Sequence, residues 1–205
     1  MFLVSKFYPH HATRKGVAQA CENSLRRLRT DSLDLYLLHW RGSTPLEETF
    51  EALQSLRQDG KIADYGVSNF DQDDMEEAYP VPGGDQIATD QVLYNLSRRG
   101  IEWDLIPGLR RLSIPLMAYS PIEQGRILKN PQLRSVASRH GATPVQAALA
   151  WVLRQADVLT IPKASTPEHV RENHGALDLS LTEEDWSELD RAFPPPTRKR
   201  PLEML

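Results

Sequence analysis

Six short runs rich in apolar and β-branched residues constrain what this chain can fold into: FLVSK (2–6), LDLYLLHW (33–40), DYGVSN (64–69), ATDQVLYN (88–95), IPLMAYS (114–120) and VLTIPK (158–163). Their hydrophobicity is continuous rather than alternating, as expected of strands buried on both faces. All but one neighbouring pair are separated by one helix-sized segment, the signature of parallel βα units. The helix starts carry chemical marks. Thr44-Pro45 with Glu47 and Thr143-Pro144 with Gln146 each read as a hydroxyl N-cap, a proline at the first helical position and a capping-box side chain. Thr166-Pro167 and Thr182 read as two further starts. The stretches 46–56 and 145–153 carry apolar residues at helical spacing. Only the tail, 194–205, reads as irregular and exposed, so a single domain over 1–205 is expected.

Each apolar run gives way to polar side chains at its carboxyl end: Lys6, His39, Ser68 with Asn69, Gln91, Tyr119 with Ser120, and Lys163. In parallel α/β barrels the active site is built from that rim. A single polar strand end signifies little, because strands become polar on reaching solvent. A lysine and a histidine that both end buried runs point to a ligand site. The remaining composition narrows the class. A net charge of −4, with acidic and basic residues interspersed, leaves no footprint for nucleic acid or an anionic membrane. Cys21 is the single cysteine, which excludes an intramolecular disulfide and a cysteine-based metal cluster. The paired His10 and His11 have no carboxylate or thiol at ligand spacing and read as loop residues, so no metal site is expected. No stretch reaches eighteen apolar residues. A reducing, cytoplasmic location is expected; oligomeric state leaves no mark.

In this order and at these intervals, LVSK, LDLYLLHW, YGVSNF, QVLYN, MAYSP and IPKAS.P resemble the aldo-keto reductases from their third strand to their C-terminal helix, most closely bacterial members that reduce small aldehydes such as methylglyoxal. The resemblance implies a (β/α)8 TIM barrel, here incomplete, with strands 3–8 and without the first two βα units. It implies NADP(H)-dependent reduction of small aldehydes or ketones by hydride transfer. Lys6 and His39 match the family's catalytic lysine and histidine. Ser68, Asn69 and Gln91 match the side chains that hold the nicotinamide carboxamide, and Tyr119 the ring that stacks on the nicotinamide. Ser120, with Gln124 and Gly125 beyond it, is expected along the pyrophosphate, Lys163 at the 2′-phosphate, and Glu172 and Asn173 near adenine. Trp40 matches the pocket indole. Two departures bear on the cofactor: Ala164 stands where the family has serine, and His169 where it has arginine. Loss of a bidentate guanidinium weakens phosphate recognition, so Lys163, with Arg171 or Ser165, carries the preference for NADP(H), and NAD(H) stays possible.

The family's catalytic aspartate and tyrosine fall upstream of the residue that aligns with Met1. Tyr8, two residues after Lys6, reads as structural filler. An N-terminally truncated chain with open strand edges is therefore expected, low in turnover even where it keeps cofactor affinity. The alternative function is a non-catalytic nucleotide-binding regulatory subunit, or an inactive fragment of a longer reductase.

Overall fold

Six strands alternate with eight helices in the computed structural model, which describes residues 1–205. In chain order they are β1 (Val4–Phe7), α1 (Arg14–Leu28), β2 (Leu33–Leu38), α2 (Leu46–Gln58), β3 (Ile62–Ser68), α3 (Gln72–Ala78), β4 (Asp90–Leu93), α4 (Leu105–Arg111), β5 (Leu116–Tyr119), α5 (Pro131–Arg139), α6 (Pro144–Leu153), β6 (Val158–Ile161), α7 (Pro167–His174) and α8 (Glu183–Ala192). The protein is an α/β fold of parallel strands, and its contacts gather into two compact units, residues 1–91 and 92–205.

In the first unit β1, β2, β3 and the start of β4 pair in parallel and in sequence order. The register sets Phe7 beside Leu38, Leu38 beside Val67, and Ser68 beside Gln91, so the polar residues that end these strands share one rim. Tyr36, Phe50, Leu53, Tyr65 and Phe70 fill the core beneath it. The Tyr65 hydroxyl reaches this core without penalty because it donates to the Gly83 carbonyl at 2.8 Å. Helix α1 starts at Thr13, whose hydroxyl accepts from the Gly16 amide at 3.2 Å. A side chain at Gly16 would meet the His11 carbonyl oxygen at 2.6 Å, so glycine is required there.

In the second unit β5 and β6 pair in parallel, Leu116 beside Val158 through Tyr119 beside Ile161. Trp151 is its largest buried side chain, with the guanidinium groups of Arg99 and Arg154 at 4.9 and 4.7 Å from the ring centre. The cations are held in turn by Glu102 and Asp190, which makes the cation–π contacts compatible with burial.

Three of the four helix starts read from sequence are present. Thr143 and Gln146 form a reciprocal capping box, Thr182 forms one with Asp185, and Thr166 accepts from the His169 amide. Thr44 is the correction. Helix α2 begins one residue later, with Pro45 as N-cap and no side-chain cap, because Pro45 is extended and the Thr44 carbonyl is taken by the Arg41 guanidinium at 3.1 Å. The run 88–95 is also shorter as a strand. Asn95 leaves β4 to build a tight turn, its side-chain oxygen accepting from the amides of Ser97 and Arg98. The tail 194–205 carries no helix or strand.

Candidate active site

At the rim of the first unit a hydrogen-bonded mesh joins the ends of four strands. The Lys6 ammonium donates to the Gln91 side-chain oxygen at 2.7 Å, and the Ser68 hydroxyl donates to the Gln91 carbonyl at 2.7 Å. The Asn69 side-chain amide donates to the His39 carbonyl at 3.0 Å and to the Ser68 oxygen at 3.3 Å. Asn69 lies in the left-handed region, φ 55°, and turns the chain out of β3 at this point. Asparagine tolerates that conformation better than most residues. Lys6, His39, Ser68, Asn69 and Gln91, distant in sequence, are thus brought together.

Burial sets the electrostatics of this mesh. Desolvation holds the Lys6 ammonium below the usual lysine range. Desolvation first, and the Lys6 charge second, hold the His39 imidazole below its ordinary value. His39 is consequently uncharged at neutral pH and presents a ring N–H as a hydrogen-bond donor. An aromatic shelf covers it. The Tyr8 ring stacks on His39 at 5.4 Å between centres and tilts against Trp40 at 5.3 Å, while His39 and Trp40 lie 4.8 Å apart. Trp40 is 38% exposed, an apolar surface open at the edge of the cluster. His10 and His11 occupy the short helical turn after Tyr8 and continue the stack.

The second unit holds a cavity of about 580 Å³. Ser120, Gln124, Lys163, His169, Glu172 and Asn173 line it, together with apolar side chains that include Ile122, Val145 and Ile161. The Lys163 ammonium donates to the Ser165 hydroxyl at 2.8 Å, so cation and hydroxyl face the same space. The lining combines one cation, one carboxylate, several amides and hydroxyls, and apolar side chains, which suits a polar, partly aromatic ligand. Tyr119 does not line the cavity; its hydroxyl, at the end of β5, accepts from the Leu205 amide at 3.4 Å. Arg171 points elsewhere, paired with Glu168 on the surface of α7.

A sequence profile of the Aldo/keto reductase family matches residues 1–193. The chain belongs to the aldo/keto reductase family. It is 48% identical to methylglyoxal reductase YeaE of Escherichia coli, covering all of this chain and 74% of that one. It is 35% identical to a glyoxal reductase of Bacillus subtilis, over 93% of this chain and 67% of the relative. Among solved structures it resembles an aldo/keto reductase of Klebsiella pneumoniae in complex with NADP and acetate, with a TM-score of 0.97 and 49% identity over all of this chain and 74% of that one.

Within this aldo/keto reductase the residues singled out from sequence separate by unit, the polar strand ends of β1–β4 in one cluster and the loop and α7 residues around the cavity. Two features were not read from sequence. The packing of Tyr8, expected to be structural filler, into the aromatic shelf is one. Glu123, 3% exposed, anchors the loop beside the cavity by accepting from Asn95 and Arg98. The polar end of the QVLYN run was a signal for Asn95, whereas nothing local marks Glu123 as buried.

Proposed function

We propose that this protein is an NADP(H)-dependent oxidoreductase that reduces small aldehydes or ketones to alcohols. The observation that carries the reading is the mesh in which Lys6, Gln91, Ser68, Asn69 and His39 converge on one rim. It is supported by the family and by the printed activities of its relatives, reductases of methylglyoxal and glyoxal.

A bound nicotinamide supplies the hydride. In our reading Ser68, Asn69 and Gln91 hold its carboxamide, which needs both donors and acceptors, and Tyr119 stacks on the ring. Ser120 borders the pyrophosphate, Lys163 pairs with the 2′-phosphate, and His169, Glu172 and Asn173 flank the adenosine. Hydride addition leaves negative charge on the carbonyl oxygen, so donors aimed at that oxygen lower the barrier. His39, neutral and a ring N–H donor, orients the carbonyl, while the Lys6 ammonium supplies positive charge nearby. Trp40 forms the apolar wall against which the substrate carbon lies.

The alkoxide also needs a proton, and the phenol beside His39 is that of Tyr8, its ring stacked against the imidazole with 5.4 Å between centres. A ring held in a stack does not readily aim its hydroxyl at a substrate between it and Lys6. We therefore propose that the 205-residue chain binds cofactor better than it turns over aldehyde. The test is NADPH consumption with methylglyoxal by the purified chain and its Tyr8→Phe variant, with the Escherichia coli relative as reference. Turnover at least a hundredfold below the reference, and unaffected by the variant, is expected, since a positioned general acid is worth about 10²–10⁴. Turnover that matches the reference and falls in Tyr8→Phe would make Tyr8 the proton donor. Binding without turnover would also suit a nucleotide-binding regulatory subunit.

A further inference from the structure

We propose that Arg98 is a positioning residue for the cofactor cavity, because one guanidinium ties the final stretch of the chain to the loop that walls that cavity. The inference rests on the nucleotide reading of the cavity.

The wall is formed by Ser120, Pro121, Ile122 and Gln124. Its backbone is left-handed at Ser120, Glu123 and Gln124, with φ of 52°, 49° and 54°. Such conformations cost non-glycine residues about 1 kcal/mol or more each, so the loop must be held from outside. Glu123, which does not line the cavity, provides the hold. One of its oxygens accepts from the Asn95 amide at 2.8 Å, and the other from Arg98 Nε and Nη2 at 3.1 and 2.9 Å and from Arg126 at 3.1 Å. Asn95 also donates to the Ser120 carbonyl at 2.9 Å. The remaining Arg98 nitrogen, Nη1, donates to Glu203 at 2.5 Å.

A single planar fork thus bridges a buried carboxylate in the loop and a half-exposed one in the tail. The tail has no helix or strand to stiffen it. Its next fixed point, the Leu205 amide against the Tyr119 hydroxyl, lies at the end of β5, immediately before the same loop. A tail held by Arg98 restrains the wall, and a wall fixed by ligand restrains the tail. Such coupling is reciprocal.

The test compares wild type with Glu203→Gln, a substitution at a half-exposed carboxylate that leaves Glu123 and the cavity intact. Release of NADPH, followed by stopped-flow fluorescence, should be about threefold to tenfold faster in Glu203→Gln, while the thermal midpoint of the ligand-free protein stays within a degree. In wild type, NADPH should slow tryptic cleavage after Arg198 and Lys199; in Glu203→Gln that protection should be lost. Glu123→Gln should also speed release, and the double variant should fall short of the summed effects, because both act through Arg98. Equal release rates in wild type and Glu203→Gln, or tail cleavage indifferent to NADPH, would overturn the coupling alone. A wild-type chain that does not bind NADPH would instead overturn the nucleotide reading, and the coupling with it.

Discussion

Asp90 and Gln91 are neighbours on β4, and successive strand residues point to opposite faces. Gln91 joins the rim mesh. Asp90 is fully buried, and neither of its carboxylate oxygens meets a donor in good hydrogen-bond geometry. Burial pushes its carboxyl well above the ordinary range, Asp74 and Asp71 push it further, and the Phe70 amide offsets only part of the rise. The folded protein therefore keeps a proton that the unfolded chain loses above about pH 3.9. The folded state binds more protons from about pH 3.9 upward until its own raised carboxyl ionises, so stability falls as pH rises through that window. Asp90→Asn removes the loss. Its urea midpoint should exceed that of wild type at pH 8, with the difference shrinking toward pH 4; a pH-independent difference would show that Asp90 is not neutral in the fold. The sequence displays this aspartate inside an apolar run and gives no sign of its state, because burial and the nearness of α3 are tertiary facts. Lys6 and His39 were legible, since each ends a run, whereas the bond from Lys6 to Gln91 spans 85 residues and has no local trace.

The helix caps show where local chemistry suffices for an element and where it does not. Thr44-Pro45 and Thr143-Pro144 carry the same pattern, yet only Thr143 caps, because the Arg41 side chain takes the Thr44 carbonyl while itself pairing with Glu77 at 2.7 Å. Thr143→Ala should lower stability by about 1 kcal/mol, the usual worth of a hydroxyl cap, and Thr44→Ala by a few tenths at most. Urea unfolding of the two variants checks this, and equal losses would contradict the assignment. Strand centres were legible from continuous hydrophobicity, but their ends were not. The 88–95 run loses its last two residues to a turn whose hydrogen bonds depend on the Asn95 side chain.

For the molecule as a whole, parallel βα order was readable because two-sided burial leaves a plain mark on sequence, as in β2 and β4, although β1 and β6 carry the same apolar mark without being buried on both faces. The partition of the site residues, rim mesh in one unit and cavity in the other, was not. β1 and β6 are edge strands that expose apolar side chains: Val4 is 37% and Leu159 41% exposed. Exposed apolar edges favour strand addition by another copy. Leu159→Lys should thus reduce light scattering by concentrated protein, and unchanged scattering would mean that this edge does not drive association. The central claim, an NADP(H) site in which Lys163 selects the phosphorylated cofactor, is tested most directly by fluorescence titration of the purified chain and Lys163→Ala with NADPH and NADH. The account predicts saturable binding, tighter for NADPH, with Lys163→Ala weakening NADPH about tenfold to a hundredfold, as for loss of a charged hydrogen bond, and NADH little. Equal losses for both cofactors, or no saturable binding by the unaltered chain, would contradict it.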